Sequence, residues 1–185
     1  MVVLVPRVKY VTMHSIKGET RRMSVVIRKA CRDDAEALLS LIKALAEYEK
    51  LEPPDEEAQQ RLIRDAFSPT PPFEVYLAEV DGKPVGYAFL LETYSTFLAR
   101  PTLYIEDIFV LPDYRGSGVG HALFRKCAEL ARERGCGRME WVTLEWNTTA
   151  QNFFKRYGAQ HLKEWYFFRL TADKFDAILN SPAAQ

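Results

Sequence analysis

Two adjacent carboxylates and a glycine-rich turn follow one another closely in the middle of the chain. Glu106 and Asp107 stand in an otherwise apolar, β-branched run, and residues 115–120 read Arg-Gly-Ser-Gly-Val-Gly at the start of a helical pattern. Glycines at a helix start let backbone N–H groups approach an anion closely, and the positive end of the helix dipole favours negative charge there. Arg115 adds a guanidinium group suited to phosphate. The segment therefore predicts a pyrophosphate site at a strand-to-helix turn.

The glycine spacing excludes the two commonest nucleotide loops. A dinucleotide-binding fingerprint requires G-x-G-x-x-G, whereas residues 115–120 read R-G-x-G-x-G. A Walker A loop requires Lys and Ser or Thr after its last glycine, and here His121 follows Gly120. A glycine-rich turn without any ligand is the alternative interpretation.

Composition limits the classes of protein to which this chain can belong. The 185 residues include 48% hydrophobic residues, which predicts one ordered domain with a sizeable core. The formal net charge is zero, which argues against nucleic-acid binding through bulk electrostatics. Three cysteines and three histidines are widely scattered, so neither a disulfide framework nor a metal site is expected. No apolar run approaches the roughly 18 residues of a membrane span, and a cytoplasmic location is expected.

The chain is expected to divide into an N-terminal extension or leader at residues 1–23, one domain at 24–180 and a tail at 181–185. The first segment is basic and too short in apolar residues for a signal peptide. An alternative is that residues 8–13 form a strand at a sheet edge. Hydrophobic periodicity and turn residues predict strands at 24–29, 73–80, 84–94, 103–110, 138–144 and 161–170, and helices at 34–50, 55–67, 117–134, 148–157 and 172–179. This alternation implies an α/β (α+β) domain, a mixed sheet packed by helices.

The loop at residues 115–120 resembles the acetyl-CoA loop of the GNAT acetyltransferases, R/Q-x-x-G-x-G/A, with Arg115, Gly118 and Gly120 on its defining positions. The predicted element order is also the GNAT order, so the resemblance covers about residues 24–170. Five segments are similar to the diamine (spermidine/spermine, thialysine) N-acetyltransferase group: residues 44–49, 104–107, 114–116, 145–147 and 152–159. The resemblance implies a largely antiparallel, twisted sheet flanked by helices. It also implies acetyl-CoA as co-substrate without a metal, a small-molecule amine as acceptor, and a homodimer.

The resemblance also implies a role for individual residues. Glu106 would serve the substrate amine as general base, and desolvation on its apolar strand would raise its pKa toward the useful range. A plain ion pair with a neighbouring arginine is the alternative for Glu106. Asp107 should point to the opposite face unless a bulge intervenes, and is expected to be structural or second in line. Tyr48 and Glu49 would line the amine channel. The residues assigned to the cofactor are Ile108, Phe109, Val110, Arg115, Gly116, Ser117, Gly118, Val119, Gly120, His121, Asn147 and Phe154.

The chain departs from the family pattern at the position of the usual general acid. Phe154 stands where a tyrosine is expected, and phenylalanine cannot donate a proton. Either the CoA thiolate leaves unassisted, or Tyr157, three residues on and therefore on the same helix face, serves as donor. The alternative for Tyr157 is a purely structural role as a core aromatic residue. The alternative for Asn147 is a purely structural role as a helix N-cap.

Three functions remain open at this point. The first is acetylation of a small diamine, polyamine or lysine-like amino acid, and the loop at 94–100 lacks the acid that polyamine enzymes place there. The second is acetylation of protein termini or lysines. The third is a non-catalytic CoA-binding module, which Phe154 favours and Glu106 opposes. The aromatic run at residues 165–168 adds apolar surface that predicts a homodimer.

Overall fold

The computed structural model describes residues 7–16 and 19–181, and the side chains of residues 7–11 and 23–181. Its strands are β1 (Arg7–Ile16), β2 (Glu19–Lys29), β3 (Glu74–Val80), β4 (Lys83–Ser95), β5 (Arg100–Val110) and β6 (Arg138–Glu140). Its α-helices are α1 (Ala35–Glu49), α2 (Glu56–Ala66), α3 (Val119–Glu133), α4 (Thr148–Lys155) and α5 (Phe175–Leu179). The chain divides into two compact units. The first ends at Val142 and contains the sheet and α1–α3, and the second begins at Thr143 and contains α4 and α5.

The sheet is mixed and largely antiparallel. Its strands follow one another in chain order, and each neighbouring pair is antiparallel except β5 and β6, which are parallel. The β5–β6 ladder joins only residues 102–104 to residues 138–140. Beyond Tyr104, β5 therefore continues to Val110 with no paired strand on its β6 side among the described residues. This free edge leaves backbone N–H and C=O groups available to an extended ligand.

The core beneath α1 holds the strands that carry the candidate acids. Leu38 and Leu41 of α1 pack with Tyr87 of β4 and Phe109 of β5. Each of these side chains is almost completely withdrawn from solvent. Burial of such side chains stabilises the fold by roughly 1.5–3 kcal/mol each, so the middle of β4 and β5 is held rigidly against α1.

A buried ion cluster joins β2 to β3 and to the start of α1. The Arg28 guanidinium donates to both carboxylate oxygens of Asp34, at 2.6 and 2.7 Å, and to Glu79 at 2.8 Å. All three side chains are about nine-tenths buried. The hydrogen bonds from Arg28 lower the pKa of Asp34 to about 2. Asp34 also accepts the backbone N–H of Cys31, so it fixes the turn into α1.

The N-terminal region, which the domain prediction placed outside the domain, forms strand β1 of the sheet. β1 pairs with β2 along its whole length, which confirms the alternative that residues 8–13 lie at a sheet edge. β2 begins at Glu19 rather than at residue 24 and runs through the proposed boundary at residue 23. The division into extension, domain and tail stays a prediction. Residues 1–6, 17–18 and 182–185 lie outside the described residues, and they include most of the predicted tail.

The last two predicted strands are the main errors in the element assignment. The strand expected at 138–144 ends at Glu140, where its pairing with β5 also stops. The strand expected at 161–170 is absent from these described residues, whose side chains are all exposed. Four consecutive aromatic residues at 165–168 do not alternate between two faces, so hydrophobicity there did not indicate a half-buried strand. The terminal helix is shorter than expected, a 3₁₀ turn followed by α5.

Candidate active site

The loop between β5 and α3 has the geometry of an anion site. Gly116 and Gly118 adopt positive φ angles of 73° and 90°, which glycine reaches without strain. Gly118 is the N-cap of α3, it has no side chain to cap the helix, and the first turn of α3 contains no acidic residue. A Cβ added at Gly116 would meet nothing within 4 Å, so the space above the loop is open. The uncapped N–H groups and the open space fit a phosphate group.

The remaining loop residues contribute backbone rather than side chains. Ser117 is buried, and its hydroxyl donates to the carbonyl of Tyr114, which closes the turn. Val119 is fully buried in the core. His121, in the first turn of α3, is exposed. Of the loop residues assigned to the cofactor from the sequence, Ser117 and Val119 can therefore address a ligand only through their N–H groups.

Arg115 lies across the end of β5. Its Nε donates to the carbonyl of Val110 at 3.0 Å. Its guanidinium carbon lies 4.2 Å from the ring centroid of Tyr48 and 5.6 Å from that of Phe109. These are cation–π distances, so the start of the loop is attached both to β5 and to the end of α1.

A β-bulge separates the surroundings of the two adjacent acids. Phe89 of β4 pairs with Asp107, but Leu90 pairs with Ile105, so Glu106 is an extra residue on β5. Since register partners share a face, the bulge places Asp107 on the face that carries Phe109 and the core under α1. Glu106 is exposed, and the expectation that its apolar strand desolvates it is wrong. The buried member of the pair is Asp107.

Asp107 is held by a buried tyrosine. The hydroxyl of Tyr87, whose side chain is fully buried, donates to Oδ2 of Asp107 at 3.1 Å. The pKa of Asp107 is raised to about 6, chiefly by burial; the Tyr87 hydrogen bond opposes this rise, and the negative charges of Glu106 and Glu49 add to it. Burial and the neighbouring Asp107 charge also raise the pKa of Tyr87. Tyr87 stays protonated at physiological pH and remains a donor.

The end of α1 brings two more candidate residues to the same place. Tyr48 packs against the core, with its ring 6.3 Å from that of Phe109. Burial raises the pKa of the next residue, Glu49, whose charge also acts on Asp107. In the first unit, Arg115 thus contacts Tyr48, and Glu49 and Glu106 both act electrostatically on Asp107. A cationic ligand would be attracted to these acids, and an anionic one to the adjoining loop.

The second unit holds the other three candidates. The Asn147 side chain accepts the backbone N–H of Ala150 at 3.2 Å, which confirms its role as the N-cap of α4. Phe154 is buried near the end of α4. Tyr157 follows the end of this helix rather than continuing its face, is 45% exposed and lies 5.2 Å from the ring of Phe153. The expectation that Tyr157 shares a helix face with Phe154 is therefore wrong.

Sequence reasoning missed the role of Tyr87 and the aromatic contact of Arg115. The signal for Tyr87 was a tyrosine within a buried apolar strand, because a buried phenol needs a hydrogen-bond partner. No comparable sequence signal indicated the bulge at Glu106, because a register shift depends on the pairing of two strands. In the described part of the chain, no three metal-ligating side chains come together. None of its helices is both long and apolar enough to cross a bilayer.

The chain is similar in sequence and in fold to known proteins. The sequence profile of the acetyltransferase (GNAT) family matches residues 36–159. The chain is 38% identical over 160 residues to a thialysine N-epsilon-acetyltransferase of Bos taurus, covering 80% of this chain and 94% of that protein. It is 43% identical over 93 residues to an L-ornithine N5-acetyltransferase of Arabidopsis thaliana, covering 50% of this chain and 41% of that protein. An integron cassette protein from the mobile metagenome of V. cholerae shares the fold with a TM-score of 0.70 at 23% identity, covering 85% of this chain and 98% of that one.

Proposed function

Because this chain belongs to the acetyltransferase (GNAT) family and is an acetyl-CoA-dependent N-acetyltransferase, we propose that its acceptor is a small diamine, polyamine or lysine-like amino acid. The observation that carries this proposal is that Glu49 and Glu106 act electrostatically on the buried Asp107, while Tyr48, the neighbour of Glu49, contacts Arg115 at the start of the glycine-rich loop. Several carboxylates in one partly buried place favour a ligand with more than one ammonium group. The names of both relatives specify a side-chain nitrogen of an amino acid, which favours the lysine-like acceptor.

The proposed cofactor site uses the loop and the free edge of β5. Acetyl-CoA, when bound, supplies the acetyl group as a thioester. The N–H groups of residues 116–121 would hold its pyrophosphate at the start of α3. Backbone groups of residues 108–110, on the unpaired side of β5, would hold the pantetheine arm. The open space above Gly116 and the uncapped α3 support this placement.

Glu106 is the proposed general base. An alkylammonium has a pKa near 10.4, so the acceptor nitrogen must lose a proton before it can attack. Glu49 and Asp107 attract the ammonium, and the same negative charges favour its protonated form, so a base is needed beside it. Glu106 is exposed to a ligand and can take this proton directly or through water. The neutral nitrogen then forms its bond to the carbonyl carbon while the carbon–sulfur bond breaks and CoA leaves as the thiolate, and the second proton of the nitrogen passes to water as the amide forms.

Departure of the thiolate without a general acid is part of the proposal. Phe154 offers no hydroxyl, and a thiol with a pKa near 8.5 is an acceptable leaving group. Tyr157 remains the candidate donor, and the variant Tyr157→Phe would reveal that role through a lower kcat.

A turnover assay tests the function. Purified protein is given acetyl-CoA and, separately, lysine-like amino acids, short diamines, polyamines or peptides, and thiol release is followed with an amine-free control. We expect the amino acids and short diamines to be acetylated fastest. Turnover confined to peptides would transfer the activity to protein acetylation. Binding of CoA without turnover of any amine would favour a non-catalytic module.

All three cysteines are free thiols, which suits the predicted cytoplasmic location.

A further inference from the structure

The side chain of Arg115 does not extend along the loop that it begins. Its guanidinium lies over the ring of Tyr48 at 4.2 Å and beside Phe109 at 5.6 Å. Its Nε donates a hydrogen bond to the carbonyl of Val110. A planar guanidinium stacks on an aromatic face in a way that an ammonium cannot. This contact therefore requires both the guanidinium of Arg115 and the aromatic ring of Tyr48.

The surface on which Arg115 lies is itself rigid. Tyr48 and Phe109, here called the aromatic shelf, have ring centroids 6.3 Å apart. Phe109 belongs to the buried core, and Tyr48 packs against that core from the last turn of α1. The next residue after α1, Lys50, is left-handed with φ of 59°, so the helix stops immediately beyond the shelf. The position of Tyr48 is therefore fixed by the fold rather than by a ligand.

The shelf connects the two halves of the proposed site. Tyr48 adjoins Glu49 on the acceptor side, whereas Arg115 opens the loop whose N–H groups face the cofactor phosphates. A loop with two positive-φ glycines can adopt many conformations, and fixing its first residue reduces the entropy lost when a ligand binds. We propose that Tyr48 is a positioning residue for the cofactor loop, acting through Arg115, in addition to lining the acceptor site.

This inference rests on the proposed acetyl-CoA site but is independent of the identity of the acceptor. It requires that a substitution on the acceptor side change the affinity for the cofactor.

Calorimetry with CoA alone, without any amine, tests the inference. Tyr48→Leu removes the aromatic face and should weaken CoA binding about three- to tenfold, the scale of a partly buried cation–π contact. Tyr48→Phe keeps the face and should bind CoA within about twofold of the wild type. Tyr48→Met is a second variant that fills the space without a ring, and it should behave like Tyr48→Leu. Equal affinity in all variants would overturn the inference while leaving the proposed function intact.

A double-mutant cycle shows whether Tyr48 acts through Arg115. In an Arg115→Gln background there is no cation to place on the shelf, so Tyr48→Leu should then have no further effect on CoA affinity. A loss that persists in this background would mean that Tyr48 acts by another route, and would overturn the inference. Wild-type protein that fails to bind CoA would remove both this inference and the proposed function.

Discussion

At the scale of single residues, one unmatched position on β5 gives two adjacent acids different properties. The bulge leaves Glu106 exposed, whereas Asp107 is directed to the core face and held by the Tyr87 hydroxyl. An exposed carboxylate can meet a substrate, and a buried one can bias the electrostatics around it. The pair therefore suits a division of labour in which Glu106 handles the proton and Asp107 sets its surroundings.

Glu106→Gln should lose most turnover at neutral pH and keep its affinity for CoA. Glutamine is nearly isosteric but cannot accept the proton, so a loss of roughly 10²–10⁴-fold in kcat is expected. Steady-state rates and calorimetry with CoA measure the two quantities separately. Glu92→Gln, an exposed glutamate on β4, is the matched control and should keep wild-type rates. An unchanged rate in Glu106→Gln would assign the base elsewhere.

Asp107→Asn should make the protein more stable at pH 8 and leave its stability unchanged at pH 4. Burial raises the pKa of Asp107 to about 6, above its ordinary value of 3.8, so the folded state disfavours the ionised form. That cost is fully present above pH 6 and disappears as the pH falls towards 3.8. Asparagine removes the charge and can still accept from Tyr87.

Urea unfolding at the two pH values measures this effect. The expected gain at pH 8 is about 1–3 kcal/mol, from a shift of about two pKa units at 1.36 kcal/mol each. A variant less stable than the wild type at pH 8 would show that ionised Asp107 stabilises the fold.

At the scale of elements, the turn from β5 into α3 carries the cofactor prediction. Gly118→Glu should weaken CoA binding at least about tenfold, because it places a negative charge and a side chain at the start of the helix. The φ of 90° at Gly118 adds backbone strain. Gly82→Glu is the matched control, since Gly82 has φ of 78° in the β3–β4 turn and open space around it. Calorimetry should show normal CoA affinity in that control, and equal affinity in Gly118→Glu would remove the cofactor site from this loop.

The ion cluster at the β2–β3 junction should make the fold less stable as the pH falls, whereas protonation of Asp107 should make it more stable. Arg28 lowers the pKa of Asp34 to about 2, so the stability that this pair contributes is complete above pH 3.8 and is lost as the pH falls through 2. Arg28→Met strands two buried carboxylates and should cost about 3–5 kcal/mol at pH 7.

That cost should shrink near pH 3, where the stranded carboxylates of the variant can take up protons. Arg61→Met breaks an exposed pair with Glu57 and should leave the free energy of unfolding close to that of the wild type. Urea unfolding that gave Arg28→Met and Arg61→Met the same stability would contradict the structural role of the cluster.

The features that could be predicted from the sequence are those specified by residues close together in the chain. The loop at 115–120 and the flanking strand and helix were foreseeable, because glycines and short-range periodicity specify them within one segment. The bulge at Glu106 and the contact of Arg115 with Tyr48 were not, because they depend on register and on residues far apart in sequence. The segment 161–170 was misassigned because its aromatic residues were counted as strand formers without an alternating pattern.

At the scale of the whole molecule, the first unit by itself brings together the acids, the loop and the free edge of β5. The second unit holds Asn147, Phe154 and Tyr157. The second unit also carries an unusual surface. Trp165, Tyr166 and Phe168 are exposed by 75%, 83% and 87%. Such apolar surface in one segment is typical of an interaction site.

We therefore predict a homodimer that buries the aromatic run at 165–168. Sedimentation at micromolar concentration should give one species of about 43 kDa, twice the chain mass of 21.3 kDa. Phe168→Ser should shift this species towards the monomer, because it replaces a largely exposed ring at the centre of the proposed contact with a small polar side chain. Phe97→Ser is the matched control, since Phe97 is 98% exposed in the first unit and lies outside the aromatic run. A wild-type species at 21.3 kDa would rule the dimer out. A dimer that survives Phe168→Ser but dissociates in Phe97→Ser would move the interface to the first unit.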